Sequence, residues 1–104
     1  MLDGVHESKF SNVVCTASTT VISAAPGVGK RIVVEEWIAS APFAAKASLL
    51  SAATSILGPI NLPTNGTMVT GDALNLLCSV NEALSVAIDT TGSVMSFIKY
   101  QIRG

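Results

Sequence analysis

The sequence of 104 residues has the length of one small domain, and it is apolar and nearly neutral. Hydrophobic residues make up 49% of the chain and charged residues only 12%, against about 25% charged in an average soluble domain. The formal net charge is −1, and the only adjacent basic residues are Lys30 and Arg31. Because nucleic-acid-binding domains usually carry a basic stripe, we expect no nucleic-acid partner.

Such a low charge content predicts that part of the surface is covered by a partner. Small domains bury a modest share of their surface, and extended apolar patches usually mark interaction sites, so we expect self-association. No apolar run reaches the roughly 20 residues that a membrane-spanning helix needs. The first residues lack the basic and apolar regions of a signal peptide. We therefore expect no membrane partner and synthesis in a cytoplasm.

The chain opens with a lead-in and two short strands. We expect residues 1–16 to form an N-terminal arm with the first strand, and residues 17–104 to form the main domain. Residues 13–15 (Val-Val-Cys) and 19–22 (Thr-Thr-Val-Ile) predict strands, because β-branched side chains suit a pleated sheet. Residues 26–29 (Pro-Gly-Val-Gly) predict a turn, since Pro presets φ and Gly permits a positive φ.

Residues 30–39 predict a longer strand with apolar side chains on both faces. In a regular strand, Trp37 would point away from the face that Ile32 and Val34 share. Two adjacent glutamates at 35–36 interrupt the apolar pattern, which predicts a bulge or an exposed segment there.

Two segments fit both a helix and strands. Residues 42–57 contain strong helix formers at helical spacing, with Pro42 as a possible start and 58–59 (Gly-Pro) as a stop, so local propensity favours a short helix. Residues 74–88 fit a helix face, but they also alternate as two strands with a turn at 81–82. Both segments stay open at this level.

The remaining pattern favours strands. Further turn signals stand at 63–66, 71–72 and 91–92, and a turn every 8–12 residues or so is typical of a sandwich or barrel. The last segment, 93–103, alternates, and the residues on one of its faces are Val94, Ile98, Tyr100 and Ile102. The sequence therefore predicts an all-β domain, with a mixed α+β domain as the alternative.

No residue pattern predicts catalysis, a cofactor or a metal. Residues 24–31 look like a phosphate-binding loop, but Ala24 and Arg31 replace the required Gly and Ser/Thr. The single histidine, His6, lies in the lead-in without a nucleophile pattern around it. Cys15 and Cys78 form no metal-binding motif, and we predict that both are buried free thiols. We therefore predict that the protein is not an enzyme.

Several stretches, in their order and spacing, resemble a family of small bacteriophage virion proteins that includes capsid decoration, or cement, proteins. These stretches are 17–24, 29–34, 71–76 and 91–94 leading to Tyr100. The resemblance implies a jelly-roll-like antiparallel β-sandwich of about eight short strands. It also implies a homotrimer on the virion, with the major capsid protein as partner and neighbouring capsomers clamped together.

The resemblance carries no catalytic motif, so the candidate site residues are possible contacts. They are the large apolar side chains Phe10, Trp37, Phe43 and Phe97, and the alternative for each is packing in the core. Two other functions share the fold and remain alternatives. One is a phage tail, neck or fibre component, and the other is a carbohydrate- or ligand-binding adhesin.

Overall fold

The computed structural model describes residues 8–71, 74–89 and 93–104, and within them the protein consists of strands and connecting turns without a helix. Nine strands are formed: β1 (Lys9–Cys15), β2 (Thr19–Ser23), β3 (Arg31–Ala41), β4 (Ala45–Ser51), β5 (Thr54–Leu62), β6 (Gly66–Val69), β7 (Leu76–Leu77), β8 (Leu84–Ile88) and β9 (Val94–Arg103). The predicted turns at 71–72 and 91–92, and the lead-in with His6, fall wholly or partly outside the described residues.

The strands form two antiparallel sheets that enclose one core. Sheet A has the order β1-β9-β3, and the far side of β3 pairs with β6 along one half and β7 along the other. Sheet B has the order β2-β8-β4-β5. Because β6 and β7 share one position beside β3, the sheets offer eight strand positions, connected as in a jelly roll. The predicted all-β, jelly-roll-like sandwich is confirmed.

The two ambiguous segments are strands. Residues 45–62 form the hairpin β4–β5, and 76–88 supply β7 and β8. The helix alternative is wrong because β4 lies between two partners, β5 and β8, and pairing on both sides satisfies its backbone groups. Leu84 and Val86 alternate into the core, as the strand alternative predicted.

The bulge expected at the acidic pair is present in β3. Val34 lies opposite Tyr100 and Glu36 opposite Lys99, so Glu35 is an extra residue on β3. Such a residue moves every later side chain to the other face of the sheet.

The bulge places Trp37 on the core face, together with Ile32 and Val34, and all three are fully buried. The prediction that Trp37 lies on the opposite face was therefore wrong, because it assumed unbroken alternation. Inside the core, the indole Nε1 of Trp37 donates a hydrogen bond to Ser96 Oγ at 3.4 Å.

Replacing Leu49 by Ala should lower the free energy of unfolding by about 2–5 kcal/mol, because Leu49 is fully buried and its loss leaves a cavity. The control Leu77→Ala removes a side chain that is 48% exposed, and it should cost about 1 kcal/mol or less. Urea unfolding followed by Trp37 fluorescence measures both. Equal losses would contradict the assignment of Leu49 to the core.

Candidate interaction surface

Sheet A is apolar on both of its faces. On β1 and β9, Val13, Cys15, Val94 and Ile98 belong to the core or pack against it, so the side chains that alternate with them point outward. The strand register aligns these outward side chains in rows across the sheet. One row is Asn12–Phe97–Ile38–Val69, and the next is Val14–Met95–Ser40–Thr67.

We call the apolar residues of these rows, together with Phe10, the outer apolar face: Phe10, Val14, Ile38, Val69, Met95 and Phe97. Val69 is 59% exposed, and Val14 and Met95 are each 50% exposed. Ile38 and Phe97 are half-buried. Contiguous exposed apolar surface of this kind marks an interaction site in a soluble protein.

Two of the predicted contact residues meet on this face. Phe10 of β1 stacks on Phe97 of β9, with ring centroids 5.8 Å apart and an angle of 26° between the ring planes. Phe10 remains 63% exposed on top of this pair. An aromatic pair held by two strands presents a large, rigid apolar contact, which is the kind of anchor that dominates binding energy in interfaces.

Charged residues lie outside the two rows. Glu36 and Lys99 lie opposite each other on β3 and β9, in the row of outward side chains next to Ile38 and Phe97. No charged residue occurs in the two rows themselves. Docking on the two rows would therefore remove apolar groups from water without removing water from charges, which keeps the desolvation cost low. A partner that also covers Phe10 meets Lys99, the residue opposite it on β9.

A groove of about 500 Å³ continues the outer apolar face at the opposite end of the sheet. Its lining consists mainly of small and polar residues beside two members of the face: Val14, Ser40, Ala41, Pro42, Asn65, Gly66, Thr67, Ser93 and Met95. The turn at Asn65 forms one wall, where φ is 56° and Gly66 N–H donates to the Pro63 carbonyl at 2.8 Å.

The other two predicted contact residues are separate from this face. Trp37 is fully buried and offers no surface to a partner. Phe43 is 65% exposed in the β3–β4 loop, next to the groove residue Pro42. Sequence reasoning missed Val14, Ile38, Val69 and Met95, although the alternation of β9 already placed Met95 beside Phe97 on one face.

The outer face of sheet B has a different character. Thr19, Ala87 and Ser48 lie in one row across β2, β8 and β4. Charged residues lie at one end of this face, where Asp89 Oδ1 accepts a hydrogen bond from the Lys46 N–H at 2.6 Å. The next row, Val21–Ser85–Leu50, contains two aliphatic side chains, and Val21 is 62% exposed. The strands of sheet B carry no aromatic residue, so sheet A has the better candidate surface.

A cluster of polar side chains lies beside Cys78, at the Ser51 end of β4. Ser51 Oγ donates to Glu82 Oε1 at 2.6 Å and accepts from the Ser79 N–H at 2.9 Å. The pKa of the Cys78 thiol is raised above its ordinary value, mainly by burial. The side-chain contact with Ser51 opposes this shift, and the Glu82 carboxylate adds to it. Both cysteines are buried and free, as predicted. A thiol whose pKa is raised is a poorer nucleophile at neutral pH.

In the described part of the chain, no three His, Cys, Asp or Glu side chains are grouped to hold a metal ion. None of residues 8–71, 74–89 and 93–104 forms a helix that could cross a bilayer. No family model matches the sequence, and no similar curated protein was found.

The raised pKa of Cys78 predicts a loss of stability at alkaline pH. Above about pH 8.5, the unfolded chain releases this thiol proton while the folded protein retains it, so the free energy of unfolding should fall as pH rises. Below that pH the contribution is complete. Urea titrations from pH 7 to 10 measure the slope. Cys78→Ala should have a shallower decline than the wild type, and identical slopes would contradict the assignment.

Proposed function

We propose that the protein is a structural component of a bacteriophage particle, a capsid decoration protein that binds the major capsid protein through the outer apolar face. The sequence resemblance supplies the phage context. The partner would cover the stacked pair of Phe10 and Phe97 and the row that runs to Val69. In this proposal the protein binds to the phage head and stabilises it, and it catalyses no reaction.

The observation that carries the proposal is the outer apolar face of sheet A, whose two central rows contain no charged residue. On a monomer such a face would be a disadvantage, because exposed apolar surface promotes aggregation in water. A capsid offers many identical copies of a partner surface, so a modest contact repeated over the particle can stabilise it. The low charge content agrees with a protein that works in a packed assembly.

The shape of the same surface favours a protein partner over the carbohydrate ligand of an adhesin. Sugar sites combine exposed aromatic side chains with polar groups that converge in a pocket. Phe43 is exposed in a loop, but it does not line the groove of about 500 Å³ beside it. The stacked aromatic pair lies instead on an open sheet, which suits a flat protein partner.

Quantitative mass spectrometry of purified phage particles tests the location. We expect a copy number comparable to that of the major capsid protein, because decoration repeats with the capsid lattice. A handful of copies per particle would assign the protein to the tail, neck or fibre instead. Complete absence from the particle would refute a role in the virion.

A matched pair of variants tests the surface. Val69→Asp places a charge on the outer apolar face, and we expect binding to capsids stripped of the protein to weaken at least about tenfold. Val21→Asp makes the same change at a residue of sheet B with similar exposure, 62% against 59%, and should bind as the wild type does. Equal binding by both variants would remove the outer apolar face from the proposal.

A further inference from the structure

The two sheets have four edges, and three of them are unsuited to pairing with another strand. In sheet B, β5 contains Gly58-Pro59 and two register shifts, and the five-residue β2 has a shift between Val21 and Ser23. In sheet A, the edge beside β3 is split between β6 and β7, of four and two residues. Bulges, prolines and short strands are the usual devices that block edge-to-edge pairing.

The fourth edge, β1, has none of these devices. Its seven residues pair with β9 without a register shift, and they include neither Pro nor Gly. Within the described residues β9 is its only strand neighbour, so the alternate N–H and C=O groups along its other side have no strand partner. Lys9 is its one charged residue, at the extreme end of the strand.

Ser8, the residue before β1, contacts the part of sheet A that lies away from this open edge. Ser8 Oγ donates a hydrogen bond to Glu35 Oε1 at 2.8 Å, and Glu35 lies on β3, beyond β9. Ser8 therefore reaches across sheet A, in the direction opposite to the free side of β1.

We propose that the free edge of β1 pairs with β1 of a second copy, antiparallel and around a two-fold axis at Asn12. The two sheets A would then form one continuous sheet through an isologous contact. This inference concerns the protein alone and does not depend on a role in a phage particle.

The sequence of β1 is self-complementary in this register. Phe10 of one copy lies opposite Val14 of the other, and Asn12 lies opposite Asn12, all on the outer side. On the outer side, apolar residues therefore meet apolar residues across the axis, while on the inner side Ser11 lies opposite Val13. Lys9 lies opposite Cys15 and about 20 Å from Lys9 of the second copy, so no like charges meet.

The pairing doubles the outer apolar face, because positions 10, 12 and 14 of both copies point to the same side. It also specifies the partner: a second copy matches both the free hydrogen-bonding groups and the side chains of β1. A homotrimer, which the sequence resemblance implies, cannot form through this two-fold contact alone.

Light scattering on the purified protein tests the stoichiometry. We expect a mass close to twice 10.7 kDa at micromolar concentration. Asn12→Lys places two like charges on the axis and should weaken dimerisation at least about tenfold. Its control, Asn61→Lys, makes the same change at an exposed residue of edge strand β5 and should leave the dimer intact. A monomeric or trimeric wild-type mass would overturn the proposal.

Cross-linking tests the register without weakening the contact. Residues opposite each other in antiparallel strands have Cα atoms about 4.5–5.5 Å apart, which a disulfide can bridge. Under mild oxidation Asn12→Cys should form a covalent dimer, while Asn61→Cys and the wild type, with its buried thiols, should stay uncross-linked. Equal cross-linking by the two variants, or none by Asn12→Cys, would refute pairing at Asn12. Neither test contains capsids, so failure here leaves the capsid proposal standing.

Discussion

The extra residue in β3 is the constraint on which the rest of the sandwich depends. Glu35 interrupts the pairing of β3 with β9, and its own carbonyl accepts a hydrogen bond from Leu74 N–H at 3.1 Å. Just beyond it, Thr70 binds Trp37 twice: its Oγ1 accepts from the Trp37 N–H at 2.9 Å, and its N–H donates to the Trp37 carbonyl at 3.1 Å. Thr70 and Leu74, which lie between β6 and β7, therefore satisfy backbone groups of β3 at the bulge.

This break allows sheet A to be apolar on both sides. Before the bulge, Ile32 and Val34 point into the core, and after it Trp37 does so, which leaves Ile38 pointing outward beside Phe97. The strand thus supplies core side chains on both sides of the bulge, and after the bulge it also adds Ile38 to the outer apolar face. A sheet that is apolar on both sides needs cover on both sides, and sheet B covers only one of them.

Much of the fold could be predicted from local pattern, and the candidate surface only in part. Alternation along β9 and the turns at Gly29 and Asn65 are encoded by neighbouring residues, so the sequence reveals them. The surface depends on which strands lie side by side, and alternation says nothing about that order. Residues 42–57 have helical propensity, which the pairing of β4 with β8 and with β5 overrides. The sequence prediction placed Trp37 on the wrong face because the two glutamates indicate a bulge but not the number of residues that it adds.

The pairing of β1 with β9 also governs how the protein can fold. The first strand of the described chain pairs with the last one, so sheet A cannot close until β9 has been synthesised. Contacts between such distant segments make folding slow, in the range of milliseconds to seconds for sandwiches. During that interval β1 has both edges open and Phe10 and Val14 uncovered. Rapid synthesis therefore brings copies with an exposed β1 together, and slower synthesis at lower temperature should favour the folded form over aggregates.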